Sequence, residues 1–245
     1  MTRTNSSLLS LTVAFIVFPA LCMANEDSKL LDIEGAFSGN VGVVSDYIFR
    51  GLSQTREHPA LQGGIDYVHP KGVYAGVWGS SIDFNDTDNA DIEIDGYIGY
   101  SHTYEKWTLD GRLTYYAYPG AKSSLNYDYY EIGSNITYDF DVAKLTASLN
   151  YTPENFGDSG NATYYAISTA IPLPHNFSLN AKIGHQEIED DIRFGYPSYT
   201  DWSAGVTYQW NDVTLGVQYT DTDLTASECS DGCDARGIVS ATYAF

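Results

Sequence analysis

Val213-Thr214-Leu215-Gly216-Val217-Gln218-Tyr219-Thr220 sets Val213, Leu215, Val217 and Tyr219 on one face and Thr214, Gly216, Gln218 and Thr220 on the other. A period of two places successive side chains on opposite faces of a strand. The preceding segment repeats it, with Trp202, Ala204, Val206, Tyr208 and Trp210 against Ser203, Gly205, Thr207 and Gln209. Ala143, Leu145, Ala147, Leu149 and Tyr151 likewise alternate with Lys144, Thr146, Ser148 and Asn150.

Extended along the chain, the pattern predicts twelve strands, at about 36–49, 60–69, 72–83, 91–103, 106–117, 126–139, 141–152, 161–173, 176–187, 199–210, 212–221 and 235–245. Their connections alternate without a break. Tight ones fall around His69-Pro70-Lys71, Tyr104-Glu105, Phe140, Pro174-His175 and Asn211, and longer ones at 50–59, 84–90, 118–125, 153–160, 188–198 and 222–234. An even strand count with alternating short turns and long loops is the signature of an antiparallel transmembrane β-barrel. The expected fold is therefore all-β, a single outer-membrane barrel domain over 25–245, with long loops outside the cell and both chain ends in the periplasm. Over 72–83 neither face is clearly wet, so that strand carries no assigned facing.

A soluble sandwich also alternates, with its charges toward solvent. Three features favour lipid. Charges on the strands share the polar register, and Arg or Lys at a bilayer midplane costs ~2–4 kcal/mol. Aromatic residues gather at strand ends: Tyr67, Tyr74, Tyr104, Trp107, Tyr138, Phe140, Phe177, Tyr208 and Trp210 near the short turns. Tyr47, Phe49, Phe84, Tyr115, Tyr116, Tyr129, Tyr130, Tyr151, Tyr165, Tyr199, Trp202 and Tyr219 lie near the long loops. Two such belts suit the two water–lipid boundaries. Finally, Phe245, Tyr243, Ala241, Val239 and Gly237 form an alternating strand with a terminal aromatic, resembling the end signal read by the barrel assembly machinery.

Residues 1–24 read as an export signal: Arg3, an apolar run from Leu8 to Leu21, then the small-residue site Cys22-Met23-Ala24. That run is too short for a membrane anchor, no 18-residue apolar stretch follows, and Leu21 is too bulky for a good lipid-attachment site. Removing Arg3 from the 12 basic residues leaves 11 against 32 acidic ones, a formal charge of −21. Such a balance excludes the basic footprint of a nucleic-acid binder. Export to an oxidising compartment makes Cys229 and Cys233 a disulfide pair, since no His or third Cys stands near them for a metal.

Ser45-Asp46-Tyr47-Ile48-Phe49-Arg50-Gly51-Leu52-Ser53-Gln54 resembles the opening block of the TorF-type porins. Pro59-Ala60-Leu61-Gln62-Gly63-Gly64-Ile65-Asp66-Tyr67, Gly72-Val73-Tyr74-Ala75-Gly76-Val77-Trp78 and the Tyr118-Pro119-Gly120 turn are similar to later blocks of that family. The resemblance implies an outer-membrane barrel acting as a porin, without catalytic residues to carry over and with its substrate generally undefined.

Candidate pore-lining residues follow from the polar register. Asp46, Asp66, Glu93, Asp95, Asp110 and Glu131 are the acids, and Arg50, Arg112, Lys144, Lys182 and Arg236 the bases. Such a balance suits either ion pairs plugging the barrel or charged rings selecting solutes in water. Eight strands are filled by side chains and sixteen leave an aqueous channel, so twelve suit a narrow lumen. Arg112 with Asp110, Glu93 and Asp95 is the expected constriction group.

The longer connections, with a few flanking residues, hold 17 acids and 4 bases, densest at Glu187-Ile188-Glu189-Asp190-Asp191 and Asp86-Thr87-Asp88. Solvated loop charge accounts for them, and Asp86-x-Asp88 lacks the remaining ligands of a calcium loop. His185 is the best placed histidine for hydrolysis, yet Gly184, Gln186 and Glu187 offer no nucleophile. No Gly-x-Ser-x-Gly or His-Glu-x-x-His occurs. The expected activity is passive diffusion of small hydrophilic solutes, with no cofactor, metal or enzymatic step. The expected surroundings are Gram-negative outer-membrane lipid and lipopolysaccharide, and the expected partner is the assembly machinery, met through Phe245. A non-conducting structural barrel, adhesin or receptor is the alternative, ahead of a barrel hydrolase.

Overall fold

Period-two segments can satisfy their backbone groups at both edges only by closing on themselves, and in the computed structural model they do. It describes residues 34–84 and 90–245; the export signal, Asp86 and Asp88 lie outside the described residues. The strands are β1 (Ala36–Val44), β4 (Ala60–Val68), β5 (Val73–Ser81), β6 (Ile92–Tyr104), β7 (Trp107–Ala117) and β8 (Tyr129–Asp139). They continue with β9 (Lys144–Thr152), β10 (Ala162–Leu173), β11 (Phe177–Ile188), β12 (Tyr199–Trp210), β13 (Val213–Thr222) and β14 (Arg236–Ala244). Each of these twelve pairs antiparallel with its neighbours, and β1 pairs with β14 to complete the closed barrel. Two further short strands, β2 (Ile48–Phe49) and β3 (Leu52–Ser53), form a hairpin of their own.

The short turns reverse through left-handed backbone at Glu105, Asp141, His175, Asn176 and Asn211, the conformation that tight hairpins use. On the outer wall Leu61 is 61% exposed and Val217 63%, with Ile98, Ile132, Leu149, Ile167 and Val239 similarly bare. An apolar wall of this extent needs lipid beside it. On β5, Tyr74 and Trp78 are buried while Val73 and Val77 are exposed, which supplies the facing that its sequence left open.

The expected first strand, 36–49, is the main correction. Regular pairing ends at Val44, and residues 45–59 carry the β2–β3 hairpin in place of a strand end and a surface loop. The belts are corrected too. Phe37–Tyr67, Trp107–Tyr138 and Phe177–Tyr208 pack as ring pairs near the short turns. Tyr74, Tyr116, Tyr129 and Tyr199, however, are buried because each falls on the inward register, and Tyr47 is buried because it lies on the 45–59 segment after the end of β1.

Candidate functional site

Residues 45–59 enter the lumen as a hairpin because of its tip. Arg50 and Gly51 both take positive φ, 49° and 85°, so the chain reverses in two residues. Gln54 N–H donates to Tyr47 O at 2.7 Å to close the base. The Asp46 carboxylate accepts from Ser53 Oγ at 2.6 Å, Thr55 Oγ1 at 2.9 Å and Arg236 Nη1 at 3.0 Å. Glycine at 51 is also a packing requirement, since a Cβ there would lie 2.6 Å from Thr222 Cγ2 and 2.7 Å from Asp201 Cβ.

That approach carries Arg50 across the barrel. Its Nη2 lies 2.5 Å from Glu131 Oε2 on β8, and its Nη1 donates to Gln186 Oε1 on β11 at 2.8 Å. The guanidinium carbon also stands 4.4 Å from the Tyr164 ring centre. Only 10% of the Arg50 side chain and 4% of Glu131 are exposed. Tyr164 continues the network, its hydroxyl donating to Asp201 Oδ1 at 2.7 Å. Lys182 Nζ meets Asp201 Oδ2, also at 2.7 Å, with 28% of the lysine side chain exposed and 1% of the aspartate. Of the eleven expected lining residues, Arg50, Glu131, Asp46, Arg236 and Lys182 belong to this constellation. Lys144 lies 3.9 Å from Asp139 near a short turn, outside it.

The expected constriction group takes a different form. Tyr47 of the hairpin donates to Glu93 Oε1 at 3.0 Å, and its ring packs edge-on to Trp78 at 5.4 Å. Asp95 is buried on the same face, directly opposite Trp78 and Tyr116 in the strand register. Asp110 accepts from Tyr74 at 2.8 Å and Asn135 at 3.2 Å, and Asp66 from Tyr97. Arg112 lies 5.7 Å from the Tyr97 ring centre and forms no ion pair among the described residues. These four residues share a side of the lumen, but Arg112 forms no ion pair with the acids; hydroxyl and amide donors satisfy Asp110 and Glu93, and the Glu93 and Asp95 carboxyls lie within hydrogen-bond reach of each other. Asp201, Gln186, Tyr164 and Gly51 complete the site and were not singled out. The alternation of β12 with Trp202 outward was the signal that Asp201 points inward.

Burial changes along the lumen axis. Around the hairpin, Glu131, Asn150, Gln186, Tyr199, Asp201 and Thr222 are buried. Toward the short turns, inward residues such as Thr146, Ser168, Lys182, Ser203, Gln218 and Thr242 are half-buried. On the β9–β14 side the inward polar residues are therefore less covered toward the short turns than around the hairpin, whereas on the β4–β8 side Asp66, Tyr74 and Asp110 are buried near the short turns as well. Over the other side of the hairpin sits the loop containing the Cys229–Cys233 disulfide, which packs with Leu52, Ile188 and Tyr199.

The remaining expected features are structural or face outward. His185 projects to the outer wall, with Nδ1 3.0 Å from Thr200 Oγ1 and its ring 5.4 Å from Tyr165. In the acidic loop, Asp190 caps the short helix α1 (Asp191–Phe194) by accepting from Arg193 N–H at 3.0 Å, and Glu189 accepts from Asn161. No group of three or more potential metal ligands occurs among the described residues. Outside the strands, the Glu228 carboxyl is held below its usual range by hydrogen bonds from the Thr225 N–H and hydroxyl.

A model of the family described as "Bacterial protein of unknown function (Gcw_chp)" matches residues 33–244. The chain belongs to the Gcw_chp family. No curated protein sequence matches it. Among solved structures, the barrel is similar to a KdgM porin, with a TM-score of 0.59 and 8% identity over 85% of this chain and 99% of that one. It is similar to the NanC porin at a TM-score of 0.57 and 12% identity, over 86% and 99% of the two chains. The COG4313 outer membrane channel from Pseudomonas putida F1 gives 0.50 and 11%, over 91% and 98%. At such identities the likeness is one of fold. The Gcw_chp chain shares the barrel of these porins.

Proposed function

We propose that this barrel is an outer-membrane channel for passive diffusion of small hydrophilic solutes or ions, narrowed from within by the 45–59 hairpin. The observation that carries this reading is the row of half-buried inward polar residues on β9–β14 that leads to Arg50 and Lys182, two lumen-facing cations paired to carboxylates beside the hairpin. Charges lining a narrow passage select permeant ions by their field. The exposed apolar wall supports insertion in lipid, and the loop parity supports short turns on the periplasmic side. The likeness to KdgM and NanC porins supports the same class, as does the resemblance to TorF-type porins. One KdgM structure is described as a complex with disordered oligogalacturonate, which is a statement about that protein.

Export after removal of residues 1–24, assembly through Phe245 and contact with lipopolysaccharide belong to the same proposal. Phe245 N–H donates to Gly39 O at 2.9 Å, so the terminal aromatic sits at the seam where β1 meets β14. A second reading, a non-conducting structural or surface-interaction barrel, is favoured by the burial of Arg50 and Glu131. Planar-bilayer recording of refolded protein separates the two. Discrete unit conductance, altered in ion selectivity by Arg50→Ala, is expected of the channel, and silence of both proteins of the structural barrel.

A further inference from the structure

The Cys229–Cys233 disulfide joins residues only four apart in sequence. In the chain-entropy account, short rings constrain the unfolded state least. Both cysteines are nevertheless buried, and what they cover is the hairpin: Leu52 packs against them together with Tyr199 and Ile188. Inside the ring, Gly232 O accepts the Ser53 N–H at 2.7 Å, an added strand-like bond on the free edge of β3. The fit is close, because a Cβ on Gly232 would stand 3.3 Å from Ser53 Cβ, and its φ of +80° suits glycine. The ring is itself fixed to the wall, since Thr222 Oγ1 donates to Cys233 O at 2.9 Å. Three residues past the ring, Arg236 Nη1 reaches Asp46 at 3.0 Å and Glu57 at 3.1 Å, holding both roots of the hairpin.

We infer that the Cys229–Cys233 ring is a positioning element, clamping the 45–59 hairpin in the lumen and thereby fixing the constriction rather than the stability of the barrel. Its consequence for permeation rests on the channel reading above; its consequence for the hairpin does not. Without the ring, Arg50 still meets Glu131, so the expected change is loosening of the β3 edge with the tip still attached.

The test uses the full mature chain refolded in detergent, as wild type, as Cys229→Ser/Cys233→Ser, and as folded wild type treated with a phosphine reductant. Amide exchange at residues 45–55, heat unfolding of the barrel and unit conductance are read on each. Exchange at Ser53 and Gln54 is expected to quicken about tenfold or more, as for a local opening, with barrel unfolding unchanged and conductance larger and noisier. Reoxidation of the reduced wild type is expected to restore all three. Unchanged hairpin exchange in a disulfide-free barrel overturns the inference, as does a fall in barrel stability with exchange quickening equally in every strand. Quickened hairpin exchange in proteins that are all silent upholds the clamp and overturns the channel. If the serine variant does not fold, the reductant arm on folded protein decides.

Discussion

Arg50 and Glu131 stand 81 residues apart in sequence and 2.5 Å apart across the lumen. The pair ties the tip of an inserted hairpin to the opposite wall. Two charges so removed from water gain little over an apolar pair, but either one alone is costly. Glu131→Ala or Arg50→Ala is therefore expected to destabilise the folded barrel by about 3–5 kcal/mol. Arg50→Met/Glu131→Leu is expected to cost less than either single change. Urea unfolding in lipid vesicles checks these, and Arg50→Ala/Glu131→Ala closes the double-mutant cycle that reads the coupling.

Gly51 tests whether the hairpin needs its close seat on β12 and β13. Alanine there meets Thr222 Cγ2 and Asp201 Cβ inside 3 Å and must hold a left-handed backbone. Left-handed conformation alone costs roughly 1–2 kcal/mol for a residue with a Cβ. Gly51→Ala is expected to lift the tip, lengthen the Arg50–Glu131 contact and raise unit conductance. Single-channel recording beside a crystal structure of the variant checks both effects.

Lys182 is more exposed than Arg50 or Arg236, the other paired cations around the hairpin, and Asp201 behind it is almost fully covered. Lys182→Met removes the charge that a permeating ion meets and leaves a buried carboxylate in its place. Reversal potentials under a salt gradient are expected to move toward cation selectivity. Lys182→Arg is expected to keep the wild-type sign.

The loop that carries the disulfide has its own pH dependence. Glu228 accepts two hydrogen bonds from Thr225, so its carboxyl titrates below the unfolded value. A depressed carboxylate contributes order that is present above the unfolded pKa and lost as pH falls through the folded one. Protection of the Thr225 amide, measured against its intrinsic exchange rate at each pH, is expected to fall on acidification through that acidic range, and Glu228→Gln to abolish that fall.

Most of the barrel was legible in the sequence because a two-residue period is a local property. Eleven of the twelve expected strands differ from the observed ones by no more than a few residues at their ends. The exception explains the rest. Tyr47 and Phe49 continue the alternation of β1, so residues 45–49 read as strand, although the backbone turns inward after Val44. Nothing local announces that Arg50 meets a partner on β8. Inward facing was likewise legible for Glu93, Asp95, Asp110 and Arg112, but their grouping was not. Whether a carboxylate pairs with a base or with a tyrosine depends on which side chains reach it from other strands. Asp201 escaped notice by its place at the edge of an acidic loop, where one residue of register separates solvent from lumen.

On the proposed reading, the 45–59 hairpin is the constriction of the twelve-stranded channel. The most direct test is planar-bilayer conductance of the refolded chain, compared with a variant in which residues 47–54 are replaced by a short glycine-rich link. A small, discrete unit conductance that rises several-fold without the hairpin is the expected result. Silence of both proteins, each shown to be a folded barrel, would contradict it.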